Sequence, residues 1–194
     1  MKVLRFIAAI CIIFILLITV LGQEKERAIE IYKWRNEPIK LLSVKVDGKE
    51  IVSKEKFVNK RDDWFSGLTV EVENTSDKTI ANIRIALGFP NEPVLKGNPA
   101  RDYIAYGTRE LSEPNLSEPP LKPGEKAVLK IKDYESLRDF LDRVGHSKDI
   151  GGELRIDIES VLFTDDTMWS AGQILRRDPD DPKIWRPEKK PRRA

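Results

Sequence analysis

The chain has 194 residues, with 34 Lys/Arg against 32 Asp/Glu, one His, one Cys and a formal net charge of +2. Lys2 and Arg5 make up that excess, so the chain after Gly22 balances 32 bases with 32 acids. Such a length suits one domain with a real core plus short extensions, while a body without Cys excludes disulfides and thiol chemistry there.

Lys2 and Arg5 precede an almost unbroken apolar run, Phe6–Leu21. A cationic start, an apolar stretch and small residues at a cleavage position form the pattern of an export signal. Two readings stand. Val20-Leu21-Gly22 offers a cut before Gln23, or Phe6–Gly22 is kept as an N-terminal apolar helix that anchors the chain. Those 17 residues are at the short end of what crosses a hydrocarbon core of roughly 30 Å. In both readings Lys2 and Arg5 stay cytoplasmic and the body is translocated, to the periplasm or beyond. Cys11 lies inside the run, which argues against a lipid-modified Cys.

Residues 23–36 read as a charged stem. Ile39–Val46 alternates as a first strand, with Ile39, Leu41, Ser43 and Lys45 on one face and Lys40, Leu42, Val44 and Val46 on the other. It ends in the turn Asp47-Gly48, and Ile51-Val52 starts the return. Trp64–Glu73 is the clearest strand, with Leu68, Val70 and Val72 inward. The polar turn Asn74–Lys78 leads into Ile80–Phe89, and the two strands read as a hairpin. Six of the twelve Pro lie in residues 90–120, which therefore form a long surface excursion with a short strand over Arg101–Thr108. Pro123-Gly124-Glu125 turns into a strand, Ala127–Lys132. Asp133 caps a short helix with Leu137, Phe140, Leu141 and Val144 on one face and Gly145 as its stop. Gly151-Gly152 opens a strand with Leu154, Ile156 and Ile158 alternating and a change of phase before Val161 and Phe163. Asp165-Asp166 turns the chain into Thr167–Ala171.

These patterns predict a mainly β fold, an antiparallel β-sandwich with one short helix. The expected layout is a signal or anchor over 1–22, the stem over 23–36, the sandwich over 37–175 and a Pro-rich basic tail over 176–194.

The run Gly67–Phe89 (GLTVEVENTSDKTIANIRIALGF), followed by Leu121–Ile131 (LKPGEKAVLKI), resembles the small immunoglobulin-like domains of exported bacterial proteins. In them a strand ending in Val-x-Asn precedes a Ser-Asp-Lys turn, an alternating strand and a Pro-Gly-Glu turn, an order kept here by Val72-Glu73-Asn74 and Pro123-Gly124-Glu125. Val161–Pro187 resembles a C-terminal element of uncharacterised exported bacterial proteins. The resemblance implies an immunoglobulin-like sandwich and brings no catalytic residue.

The chemical candidates are few. His146 stands alone in a polar loop, without the ordered carboxylate and nucleophile that a catalytic His needs. Asp165 and Asp166 are acids at a hairpin tip, where Asp commonly serves the turn, and Asp178, Asp180 and Asp181 lack the spacing of a calcium loop. No Gly-rich phosphate loop and no Gly-x-Ser-x-Gly elbow occurs, so neither enzyme activity nor a cofactor is expected. Trp64 and Trp169 read as covers of the core. Tyr103, Tyr106, Trp169 and Trp185 are the aromatic candidates for contact with a partner. Lys189, Lys190, Arg192 and Arg193 form a basic end that, beyond the membrane, suits solubility, anionic lipid or wall polymer rather than nucleic acid. The leading expectation is a non-enzymatic, exported module that contacts an unknown protein of the bacterial envelope. The alternatives are a carbohydrate or cell-wall binding module and, last, an acid-pair hydrolase.

Overall fold

A computed structural model describes residues 25–90, 101–108, 118–143 and 152–188. The run Phe6–Leu21, Cys11, the helix stop Gly145 and His146 lie outside them. Among the described residues no helix is long and apolar enough to cross a membrane.

The chain forms β1 (Glu26–Ile31), β2 (Ile39–Val46), β3 (Lys49–Glu50), β4 (Lys56–Val58), a 3₁₀ turn (Trp64–Gly67), β5 (Leu68–Asn74), β6 (Ile80–Gly88) and β7 (Arg101–Gly107). It continues with β8 (Lys126–Lys130), helix α1 (Tyr134–Arg143), β9 (Glu153–Phe163), β10 (Thr167–Ser170), β11 (Gln173–Arg177) and β12 (Trp185–Pro187). The smaller sheet is β3-β2-β5-β8, antiparallel throughout. The larger is organised on β9, which pairs with β6, and β6 carries β7. On its other side β9 pairs with β1 at its start and with β10 at its end; β1 carries β4, and β10 carries β11 and then β12. One apolar cluster joins the sheets, from Val44, Val70 and Leu129 on one to Ile83, Ile85, Ile156 and Val161 on the other.

Several expectations need correction. The β1–β9 pair is parallel. β10 reaches only Ser160–Leu162, which leaves the edge of Glu153–Ile156 open, and β1 fills it. Residues 26–31 of the expected stem are therefore a strand, with Ile29 fully buried and Arg27 at 2 % exposure. The guanidinium of Arg27 lies 5.8 Å from the Trp64 ring centroid and donates to Arg61 O at 3.3 Å. Trp64–Gly67 is a 3₁₀ turn rather than the start of a strand, and it sends Trp64 and Phe65 into the end of the core. In β2 a register shift between Leu41 and Ser43 puts Ile39, Val44 and Val46 together on the buried side. β5 and β6 are not a hairpin, because they belong to different sheets, and Asn74–Lys78 is an arch between them. The return after Asp47-Gly48 is the two-residue β3, earlier than expected. The expected tail is also partly sheet. Ala171-Gly172, at φ 46° and 85°, makes a two-residue hairpin turn that sends the chain back as β11, and β12 adds to it.

Other features follow the pattern. Leu68, Val70 and Val72 are buried, β7 lies inside the 90–120 excursion, and Asp47-Gly48 has the double positive φ (50° and 79°) of its turn. The phase change in β9 is a bulge: Ile158 faces Ile85 and Ser160 faces Arg84, so Glu159 is the extra residue. Asp133 caps α1, accepting from Ser136 N–H at 2.9 Å and Ser136 Oγ–H at 2.6 Å. Leu137 and Leu141 of α1 are buried; the Phe140 side chain and Val144 lie outside the described residues. Edge contacts join Phe57, Trp64, Phe65 and Phe89 in a chain, with Tyr134 tilted against Phe65, and this group closes one end of the core.

Gly107 ends β7 at φ 74°, where a Cβ would stand 2.0 Å from Ala81 O. Gly107→Ala combines left-handed strain with a backbone clash, so a loss of roughly 3 kcal/mol is expected. Urea unfolding measures it; an unchanged midpoint would show that β7 does not need this approach to β6.

Candidate functional site

The outer face of the larger sheet is the candidate site. On β6, Ile83, Ile85 and Leu87 enter the core, so Asn82, Arg84 and Ala86 face outward. On β9, Ile156, Ile158 and Val161 enter it, so Arg155, Asp157, Ser160 and Leu162 face outward. Three arginines on this face each cover an aromatic ring and sit beside a carboxylate. Arg84 lies 3.9 Å from the Tyr103 centroid, with Nε 3.2 Å from Glu159 Oε2. Arg155 lies 4.2 Å from the Tyr32 centroid, with Nε 3.8 Å from Asp157 Oδ2. Arg177 lies 4.9 Å from the Trp185 centroid, with Nε 3.2 Å from Asp166 Oδ1. Trp34 Nε1–H donates to Asp157 Oδ1 at 3.4 Å and stands edge-on to Tyr32 at 5.0 Å, so an indole covers this buried carboxylate. Burial raises the Tyr103 phenol above its ordinary range; the charge and hydrogen bond of Glu159 add to this and Arg84 opposes it. Tyr103 therefore stays neutral at physiological pH.

Of the four aromatic candidates, Tyr103 and Trp185 reach this face. Tyr106 and Trp169 do not, because each pairs with an inward-facing residue, Ile83 and Val161 respectively. Tyr106 packs against the core and its hydroxyl donates to Pro119 O at 2.6 Å. Trp169 is 1 % exposed and offers no surface. Tyr103 also borders a cleft of about 400 Å³ between the edges β7 and β8, with Asp102 and Lys132. Burial raises the Asp102 carboxyl there, against a hydrogen bond from its neighbour's backbone and the charge of Arg84. The arginines and Asp157 were missed as site residues; the available signal was charge at alternate positions in otherwise Ile-rich strands.

The acidic candidates serve turns. Asp165 accepts from Thr167 N–H at 3.1 Å and pairs with Lys78 Nζ at 2.8 Å. Its desolvation raises the carboxyl, but the bonds from Lys78 and Thr167 outweigh that and hold it below its ordinary range. Asp166 adopts φ 60°. Asp178 accepts from Asp180 N–H at 2.9 Å and forms an ion pair with Arg186 Nε at 2.5 Å, and Asp181 accepts from Lys183 N–H at 3.0 Å. Among the described residues no three His, Cys, Asp or Glu side chains gather as a metal site. Lys189, Lys190, Arg192 and Arg193 lie outside the described residues. Comparison of the chain with protein families, with curated proteins and with solved structures finds no match.

Proposed function

We propose that this chain is an exported, non-catalytic, immunoglobulin-like module that binds an envelope protein through the outer face of its larger sheet. The strand order supports the fold. Read β2, β5, β6, β7, β8, β9 and β10 as strands A, B, C, C′, E, F and G; then A-B-E form one sheet and C′-C-F-G the other, the pairing of immunoglobulin-like sandwiches. The N-terminal charge and apolar pattern support export.

The row of three arginine–aromatic stacks carries the binding reading. Arg, Tyr and Trp are the side chains that dominate protein contacts, and here stacking and ion pairs restrain them before a partner arrives. A sugar platform needs an open aromatic face. Arg84 and Arg177 each cover one face of Tyr103 and Trp185, and Trp169 is buried, which favours a protein over wall polysaccharide.

A photoreactive benzoylphenylalanine at Ala105, beside Arg84 in the sheet, tests this in intact cells. A single discrete protein adduct that Arg84→Glu reduces at least about tenfold is expected. No adduct, or an adduct unaffected by Arg84→Glu, would overturn the proposal.

A further inference from the structure

We infer that the β10–β12 end of this outer face holds a pocket for a small hydroxyaryl carboxylate: a planar apolar body with an acid at one end and a hydroxyl at the other. This pocket shares the Arg177–Trp185 stack with the protein contact proposed above and takes a different, small-molecule ligand.

The pocket has a volume of about 500 Å³, inside the range of roughly 300–1,000 Å³ usual for small-molecule sites. Asn82 and Ser160 line it at 3 % and 7 % exposure. Asn82 Nδ2 donates to Tyr106 O at 2.7 Å, which fixes the carboxamide and leaves Oδ1 without a hydrogen-bond donor among the described residues. Ser160 Oγ likewise has no hydrogen-bond partner among them. Neither oxygen is sealed from solvent, so both open onto the cavity, where a polar ligand group can reach them. The carboxamide oxygen can only accept, so that group must donate, as a hydroxyl does.

The walls suit a flat apolar body. Leu162, Met168 and Pro182 line the pocket, and the Trp185 ring is held against Arg177. Thioether and indole both pack well on an aromatic ring. The charged residues lining it are Arg177 and Lys183, both cations. Arg177 is engaged with Asp166 and Pro182 O. Lys183 Nζ has no ion pair or hydrogen bond among the described residues, so it is the cation left to meet a carboxylate.

The test uses 6-hydroxy-2-naphthoate with the ¹⁵N-labelled full chain, read site by site by NMR. Saturable shifts of the Trp185 indole and the Asn82 carboxamide are expected, with the Trp64 and Trp169 indoles unmoved. Lys183 is on an exposed turn fixed through its backbone, so Lys183→Glu keeps the fold, and it should raise Kd at least about tenfold. 2-Naphthol, which lacks the acid, and 2-naphthoate, which lacks the hydroxyl, should each bind more weakly than the full probe. Absence of saturable shifts at millimolar probe would overturn the inference. So would equal binding by Lys183→Glu or by either analogue, or shifts centred on Tyr103.

Discussion

Asn74→Leu is expected to destabilise the fold by about 3 kcal/mol, because Asn74 closes a hydrogen-bond network between the two sheets. The residue is 1 % exposed. Its Nδ2 donates to Lys78 O at 2.8 Å and to Leu121 O at 2.9 Å. Its Oδ1 accepts from Ser76 N–H at 3.0 Å and from Ser76 Oγ–H at 2.7 Å. The backbone takes part too, with Asn74 N–H bonded to Glu125 O at 2.9 Å and Gly124 N–H to Asn74 O at 2.8 Å. Leucine fills similar space but strands these side-chain partners at about 1–3 kcal/mol for each buried group left unpaired. Leu121 O still holds Ile80 N–H at 2.9 Å and Ser76 is partly wetted, which keeps the sum near the lower end. Urea unfolding monitored by circular dichroism measures the loss. A change under 1 kcal/mol would mean that the arch is held by the apolar core alone.

Asn74 also shows where the sequence was legible. Val-x-Asn, the Ser-Asp-Lys turn and the Pro-Gly-Glu turn were visible, and the structure joins all three at one residue, Asn74, through its side chain and its backbone. What was not visible is that the turn leaves the sheet. A hairpin and an arch share the same turn residues, and the choice here depends on a bond from Asn74 to Leu121, 47 residues away. The alternation of β5, β6 and β9 was legible because one face is apolar in each. β1 was hidden because its inward positions include Arg27, and β11 and β12 because their charges resemble those of a solvated tail. The site was less legible still. Arg84, Arg155 and Arg177 meet their rings only through pairing across strands or the return of a distant segment, and no local pattern states that pairing.

Trp169→Ala is expected to cost about 4 kcal/mol, and Trp169→Phe less than about 1.5 kcal/mol. The difference follows from the indole nitrogen. Nε1 of Trp169 is buried without a hydrogen-bond partner, so phenylalanine removes volume and also removes a desolvated donor, and the two effects oppose each other. Alanine gains that same relief but leaves a cavity that β10 cannot close. This strand has four residues, and Thr167 and Trp169 are its buried ones. Trp169 pairs with Val161 on one side and Ile174 on the other, and β11 and β12 join the fold through β10. The alanine variant should therefore loosen β11 and β12 before the rest, with hydrogen exchange speeding up at Arg177 and Asp178 while Ile83 and Ile85 in β6 keep their protection. The Arg177–Trp185 stack would be lost with it. If Trp169 instead served as an exposed platform, alanine would change stability by less than about 0.5 kcal/mol and leave the exchange of β11 untouched.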